Sequence, residues 1–173
     1  SVEEYPVHVF LSREGYLKKI TPLSLRMSGE QKYKEGDGPR QAFETTSHAE
    51  IMFFTDRQQV YKTRLSEFED TKASVLGEYL PAKLGMDAGE NVIFAALPGK
   101  DYAKLTGAYS DKSPLACIRR IDEECELAVY SNEPRCLIFH TALLAPKTTR
   151  TTQGVAVMNL KPRYHLEEVK TLG

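Results

Sequence analysis

None of the short signatures by which enzymes are commonly read occurs in this 173-residue chain. It has no GxSxG elbow, no P-loop, no dinucleotide-binding glycine pattern and no HExxH, and no carboxylate pair stands where acid–base work would need one. No apolar run approaches the roughly 20 residues of a membrane helix, and the N-terminus does not read charged-then-apolar as a signal peptide does. These absences predict a cytoplasmic chain with no membrane partner. Cysteine is scarce: Cys117, Cys125 and Cys136 are odd in number, lack CxxC spacing and have no paired histidines nearby, so they read as half-buried thiols in a reducing compartment. His8, His48, His140 and His165 are scattered and read as surface or strand histidines. Cys136 and His140 raise the reading of a small cysteine enzyme, but strand residues four apart lie about 13 Å from one another. No catalytic residue, no metal ligand and no cofactor is expected in this chain.

Net charge is −1, but it is unevenly spread. Residues 65–128 hold twelve acids against seven cations, while no acid occurs between Pro134 and Leu166, where Arg135, Lys147, Arg150, Lys161 and Arg163 stand. An acid-free basic stretch points to a polyanion partner. The acidic middle supports a different reading, a propeller-like module that docks on a protein partner through residues 65–128.

A hairpin recurs three times. Val7–Leu25 places apolar residues on either side of a turn at Arg13-Glu14-Gly15, and its second arm, Tyr16–Ile20, carries Lys18 and Lys19 as a basic edge. Ile51–Phe68 repeats it, with Thr55 answering to Ser12, Val60 to Leu17 and Lys62 to Lys19. Leu127–Leu143 is the third copy, in which Ser131 answers to Thr55 and Cys136 to Val60. Each copy is an apolar strand ending in Ser or Thr, a turn, and a second strand running into a leucine-containing segment. One hairpin cannot bury its own apolar face, so the recurrence predicts a blade-type, all-β array.

Between the hairpins, Arg26–Arg40 reads as a solvated loop in which Arg26, Lys32, Lys34 and Arg40 are interleaved with three acids. Gln41–Ser47 reads as a short strand around Phe43. Leu84 and Met86 are placed to fill a core gap, and Asn91–Leu97 reads as a fully buried strand halted by Pro98-Gly99. A repeat of roughly 40 to 50 residues calls for a further hairpin near residues 100–106. That unit is either degenerate or has lost residues between Gly99 and Thr106, and loss is the favoured reading. Leu115–Ile121 reads as a strand exposing Arg119 and Arg120, Val155–Leu160 as the closing strand, and Leu166–Leu172 as a short helix or frayed tail. The loop Ala145–Gly154 combines hydroxyls with Lys147 and Arg150, the materials of phosphate contacts.

The phrases Phe10–Lys19, Phe53–Lys62, Leu84–Glu90 and Arg150–Val155 are similar, in that order, to the repeats of the C-terminal domain of bacterial type IIA topoisomerase A subunits, those of gyrase and topoisomerase IV. The resemblance implies a single β-pinwheel over residues 1–173, whole or partial: a propeller-like disc of roughly three to four four-stranded blades that exchange strands. It implies a basic rim that binds and bends double-stranded DNA, with phosphate contacts from Arg13, Lys18, Lys19, Arg57, Lys62, Arg64, Arg135, Lys147 and Arg150. The other partners it implies are the rest of the A subunit and its ATPase partner subunit, which would use the ATP and Mg²⁺, and it implies a nucleoid-associated setting. Gyrases mark the first blade with a Gln-Arg-Arg-Gly-Gly-Lys-Gly box. The matching loop here, Leu25–Lys34, keeps Arg26, Gly29 and the lysines, which adds Arg26 to the phosphate contacts and leans toward a topoisomerase IV-like or degenerate gyrase subunit.

Overall fold

The computed structural model describes residues 3–99, 110, 112–147 and 154–173, and within them antiparallel strands dominate. The chain forms two compact units, Ser1–Lys104 and Leu105–Gly173. No helix among the described residues is long and apolar enough to cross a membrane.

In the first unit, β1 (Pro6–Ser12) and β2 (Tyr16–Ile20) form the expected hairpin, with Leu11 opposite Leu17 and His8 opposite Ile20. A short helix, α1 (Pro22–Met27), follows because Thr21 accepts the Ser24 N–H and Pro22 stands at the first turn, where its missing donor costs nothing. β3 (Pro39–Thr46) contains the strand expected around Phe43 and pairs with the other side of β1. The pattern repeats with β4 (Glu50–Thr55), β5 (Val60–Arg64) and β7 (Val92–Ala96), the last being the predicted buried strand. Its order, β5-β4-β7, matches β2-β1-β3. Where the first turn has Gly15 at φ +93°, the second has Gln58 at φ +57°, so the left-handed turn geometry persists although the glycine does not.

Between β5 and β7 lie β6 (Glu78–Tyr79) and the short helix α2 (Leu80–Lys83). β6 belongs in sequence to the second repeat, yet it pairs with β2 and completes the four-stranded order β3-β1-β2-β6. Gly77 makes this possible. It sits at φ +94°, and a Cβ there would lie 2.4 Å from the Leu17 carbonyl oxygen. The two sheets share a core of Val7, Val9, Leu11, Leu17, Ile51, Phe53 and Val92, sealed by Leu65, Phe68 and Leu80, with Leu84 and Met86 packed against it as expected. Phe53, edge-on to Phe68, is its largest fully buried side chain, and truncation there to alanine costs about 3–5 kcal/mol.

The second unit carries the third copy: β8 (Glu126–Ser131), β9 (Arg135–His140) and β10 (Leu166–Leu172), in the order β10-β8-β9. Three expectations are corrected here. Leu166–Leu172 is a strand, not a helix or frayed tail. Its apolar residues recur every third position, which imitates a helix, and a register shift between Leu166 and Glu168 reconciles that spacing with pairing to β8. Val155–Leu160 is not a strand, and Val155 and Val157 are exposed. Nor is Leu115–Ile121, where Arg119 instead donates to the Val169 carbonyl. A short apolar run signals burial but does not specify a pairing partner. The region read as a degenerate or missing hairpin, residues 100–106, lies outside the described residues.

Candidate nucleic-acid interface

Each hairpin turn is fastened by the hydroxyl that ends its first strand. The hydroxyl residue at the end of its first strand is buried in all three copies: Ser12, Thr55 and Ser131. Ser12 Oγ accepts the Tyr16 N–H at 3.0 Å, Thr55 Oγ1 accepts the Gln59 N–H at 3.3 Å, and Ser131 Oγ donates to the Glu133 carbonyl at 2.6 Å. The N–H of the next residue then bonds the residue that precedes the returning strand: Arg13 to Gly38 O at 2.9 Å, Asp56 to Asn91 O at 3.0 Å, and Asn132 to His165 O at 3.1 Å.

A carboxylate reinforces two of the three turns. Glu90 is buried, accepts the Thr55 hydroxyl at 2.6 Å and the Tyr61 phenol at 2.8 Å, and so ties β4, β5 and the residues before β7 together. That hydrogen bond first, then burial and the nearby charges of Glu90 and Asp87, push the Tyr61 phenol above its ordinary pKa. Asp37, at the corresponding place before β3, accepts the Gly38 and Glu14 N–H groups at 2.7 and 3.0 Å. Burial opposes its charge, but the Ser12 hydroxyl, these two N–H groups and the Arg13 charge outweigh it and hold the carboxyl below the usual range. Neither acid was singled out in the sequence. The available signal was a carboxylate two residues before the returning strands β3 and β7, a place that Tyr164 takes before β10.

These turns are stiff mounts for cations. Arg13 is exposed beside Gly38, and Arg57 is exposed with its guanidinium donating to the Ala88 carbonyl at 3.3 Å. Arg26 is exposed in the last turn of α1. Lys62 and Arg64 stand two apart on β5, on one face, both against Glu50 at 3.2 and 3.4 Å. Such exposed pairs are worth about 0–1 kcal/mol, so either cation is readily turned to another anion. In the second unit Arg135 is exposed beside Glu133, and Lys147 is exposed. Arg150 lies outside the described residues.

Lys18 and Lys19 do not form the expected basic edge. Their relative exposures are 3% and 4%, because the chain between Asp70 and Tyr79 runs along β2 and covers it. Lys18 Nζ donates to Gln31 Oε1 at 3.1 Å and to the Lys32 and Ala73 carbonyls at 2.8 Å each, above the Tyr33 ring. Burial, and then the charge of Lys32, push its pKa below the ordinary lysine value. Lys19 Nζ donates to the Leu65 carbonyl at 2.9 Å and lies 3.4 Å from Asp70. Every donor of Lys18 is used internally, so it has none to offer a phosphate. Exposed cations that form no ion pair among the described residues lie instead at Lys32, Lys34 and Lys72.

Cys136 and His140 are not brought together either: they sit four apart on β9, and His140 Nδ1 accepts the Ala142 N–H.

Repeated three-stranded sheets, the first of them completed by a fourth strand passed back from the second repeat, define an all-β protein of the β-pinwheel class. The family model described as the DNA gyrase C-terminal domain, beta-propeller, matches residues 49–74 and 145–171. A solved C-terminal domain of DNA topoisomerase IV matches 100% of this chain with a TM-score of 0.69 at 18% identity, and the chain spans 63% of that structure's length. The E. coli ParC C-terminal domain matches 96% of this chain, over 79% of its own length, with a TM-score of 0.57 at 19% identity. No curated protein matches the chain by sequence. The sequence resemblance to the C-terminal domains of gyrase and topoisomerase IV A subunits is thus borne out in family model and fold.

Proposed function

We propose that this chain binds and bends double-stranded DNA through sequence-independent phosphate contacts, as a non-catalytic accessory region of a type IIA topoisomerase A subunit. The observation that carries this reading is the pinwheel fold, with exposed cations on its stiffened turns (Arg13, Arg57), on α1 (Arg26) and on β5 (Lys62, Arg64), and with Arg135 and Lys147 in the second unit. They occupy different positions from copy to copy, which suits a surface that meets phosphates better than one that reads base edges. Bending about 20–30 base pairs costs on the order of 1–6 kcal/mol, so several contacts along the duplex are needed. In this reading the rest of the A subunit and the ATPase subunit are the protein partners, ATP and Mg²⁺ are handled there, and the complex works on the bacterial nucleoid.

Duplex affinity measured between about 50 and 200 mM salt tests the proposal. Binding that weakens steeply, by about 0.9 log–log units per phosphate neutralised, is the expected result. No binding at low salt, or a flat response, overturns it.

A further inference from the structure

We propose that Lys18 is a positioning residue that joins two separate loops into one phosphate-binding patch made of Lys32, Lys34 and Lys72. The proposal rests on the DNA-binding reading above and assigns part of that surface. Its starting point is a cation in an unusual setting. The Lys18 ammonium is buried and spends its three donors on neutral oxygens: the Gln31 amide, the Lys32 carbonyl and the Ala73 carbonyl. No carboxylate is among these partners, so its charge is not cancelled at contact distance.

The three acceptors belong to two different loops. Gln31 and Lys32 follow α1, whereas Ala73 lies 55 residues from Lys18 in the chain leading to β6. The Lys32 N–H also donates to the Ala73 carbonyl at 2.9 Å, so one oxygen receives both loop and ammonium. That junction sets Lys32 beside Lys72, the neighbour of Ala73. Lys18, Lys32 and Lys34 also line one shallow hollow of about 10 Å³ with Tyr16, Tyr33, Leu76 and the acid Asp37. Lys32, Lys34 and Lys72 are exposed and make no ion pair among the described residues. A desolvated cation with no carboxylate at contact distance, bonded to the backbone of the exposed Lys32, adds to the local positive potential where a phosphate would sit, against the opposing charge of Asp37 in the same hollow. Glu30 and Glu35 share the first loop and are exposed, so the patch is strongest for an anion held on the Lys32–Lys72 side.

The test uses the whole chain and a mixed-sequence duplex of about 30 base pairs. Replacing Lys32, Lys34 and Lys72 together by alanine should lower the salt slope by about 2 to 3 while leaving the thermal midpoint near that of the parent. Lys18→Met should lower the slope as well and speed hydrogen exchange at the Lys32 amide. Should Lys18→Met fail to fold, Gln31→Leu, which removes one acceptor at the loop surface and spares the core, should reproduce both effects in weaker form. A parent chain that fails to bind at low salt overturns the DNA reading and the patch with it. A parent that binds, with a slope the triple substitution does not change, overturns the patch alone. A slope sensitive to the triple substitution but unmoved in folded Lys18→Met or Gln31→Leu overturns the positioning role.

Discussion

The side-chain amide of Gln41 on β3 makes two hydrogen bonds to the backbone of Ala95 on β7, donating from Nε2 to its carbonyl at 2.9 Å and accepting its N–H at Oε1 at 2.7 Å. β7 is an edge strand of its sheet, and Gln41 satisfies polar groups there as a further strand would. Arg40 adds a bond to the Ile93 carbonyl at 3.2 Å. Gln41→Leu leaves both Ala95 groups unmet, so a loss of about 1–3 kcal/mol is expected in urea unfolding. Gln41→Glu keeps only the acceptor and should fall between the two.

At Gly77 a single methyl group should displace β6. The added Cβ would meet the Leu17 carbonyl at 2.4 Å and the residue would be held at φ +94°. The backbone penalty alone is about 1–2 kcal/mol, and the clash adds to it. Gly77→Ala should therefore lower the thermal midpoint and expose the outer edge of β2, read as faster amide exchange at Leu17. An unchanged midpoint would show that β6 does not contribute to the stability of this sheet.

Alkaline pH should loosen the clip around Glu90. The folded-state pKa of Tyr61 is raised, so its contribution to stability is fully present below the unfolded value near 10 and is lost as pH rises through the folded value. Tyr5, which donates to Asp70 Oδ2 at 2.6 Å, is raised for the same first cause, that hydrogen bond, followed by burial. Stability measured from about pH 9 to 11 should fall in the parent and fall less in Tyr61→Phe and Tyr5→Phe. Asp37 works at the opposite end. Its folded pKa is depressed, so its contribution is present above the unfolded value near 3.9 and disappears as pH drops through the folded value. Asp37→Asn should flatten that acid limb.

Lys19 and Arg57 should respond in opposite ways. Lys19→Met removes a buried ammonium from the Leu65 carbonyl and from Asp70, so it should lower the urea midpoint and leave the salt dependence of DNA binding unchanged. Arg57→Ala removes an exposed guanidinium and should reduce the salt slope by about 1 with little change in stability. A reduced slope in Lys19→Met at unchanged stability would return that lysine to the interface.

What the sequence determined by itself was local. Alternating apolar residues ending in Ser12, Thr55 and Ser131 specified three hairpins, Phe43 marked the centre of a strand, and the run from Val92 to Ala96 specified another, because strand pattern is written in neighbouring residues. The order of those phrases also carried the family resemblance. The tertiary structure decided which basic residues are free. Lys18, with acceptors up to 55 residues away, reads the same in sequence whether β2 ends at solvent or lies under another strand. The same holds for the carboxylates: Glu90 meets Thr55 across 35 residues, a pairing that no local period encodes. Exposure and long-range polar pairing depend on what the returning chain brings alongside, and only the assembled sheets supply that.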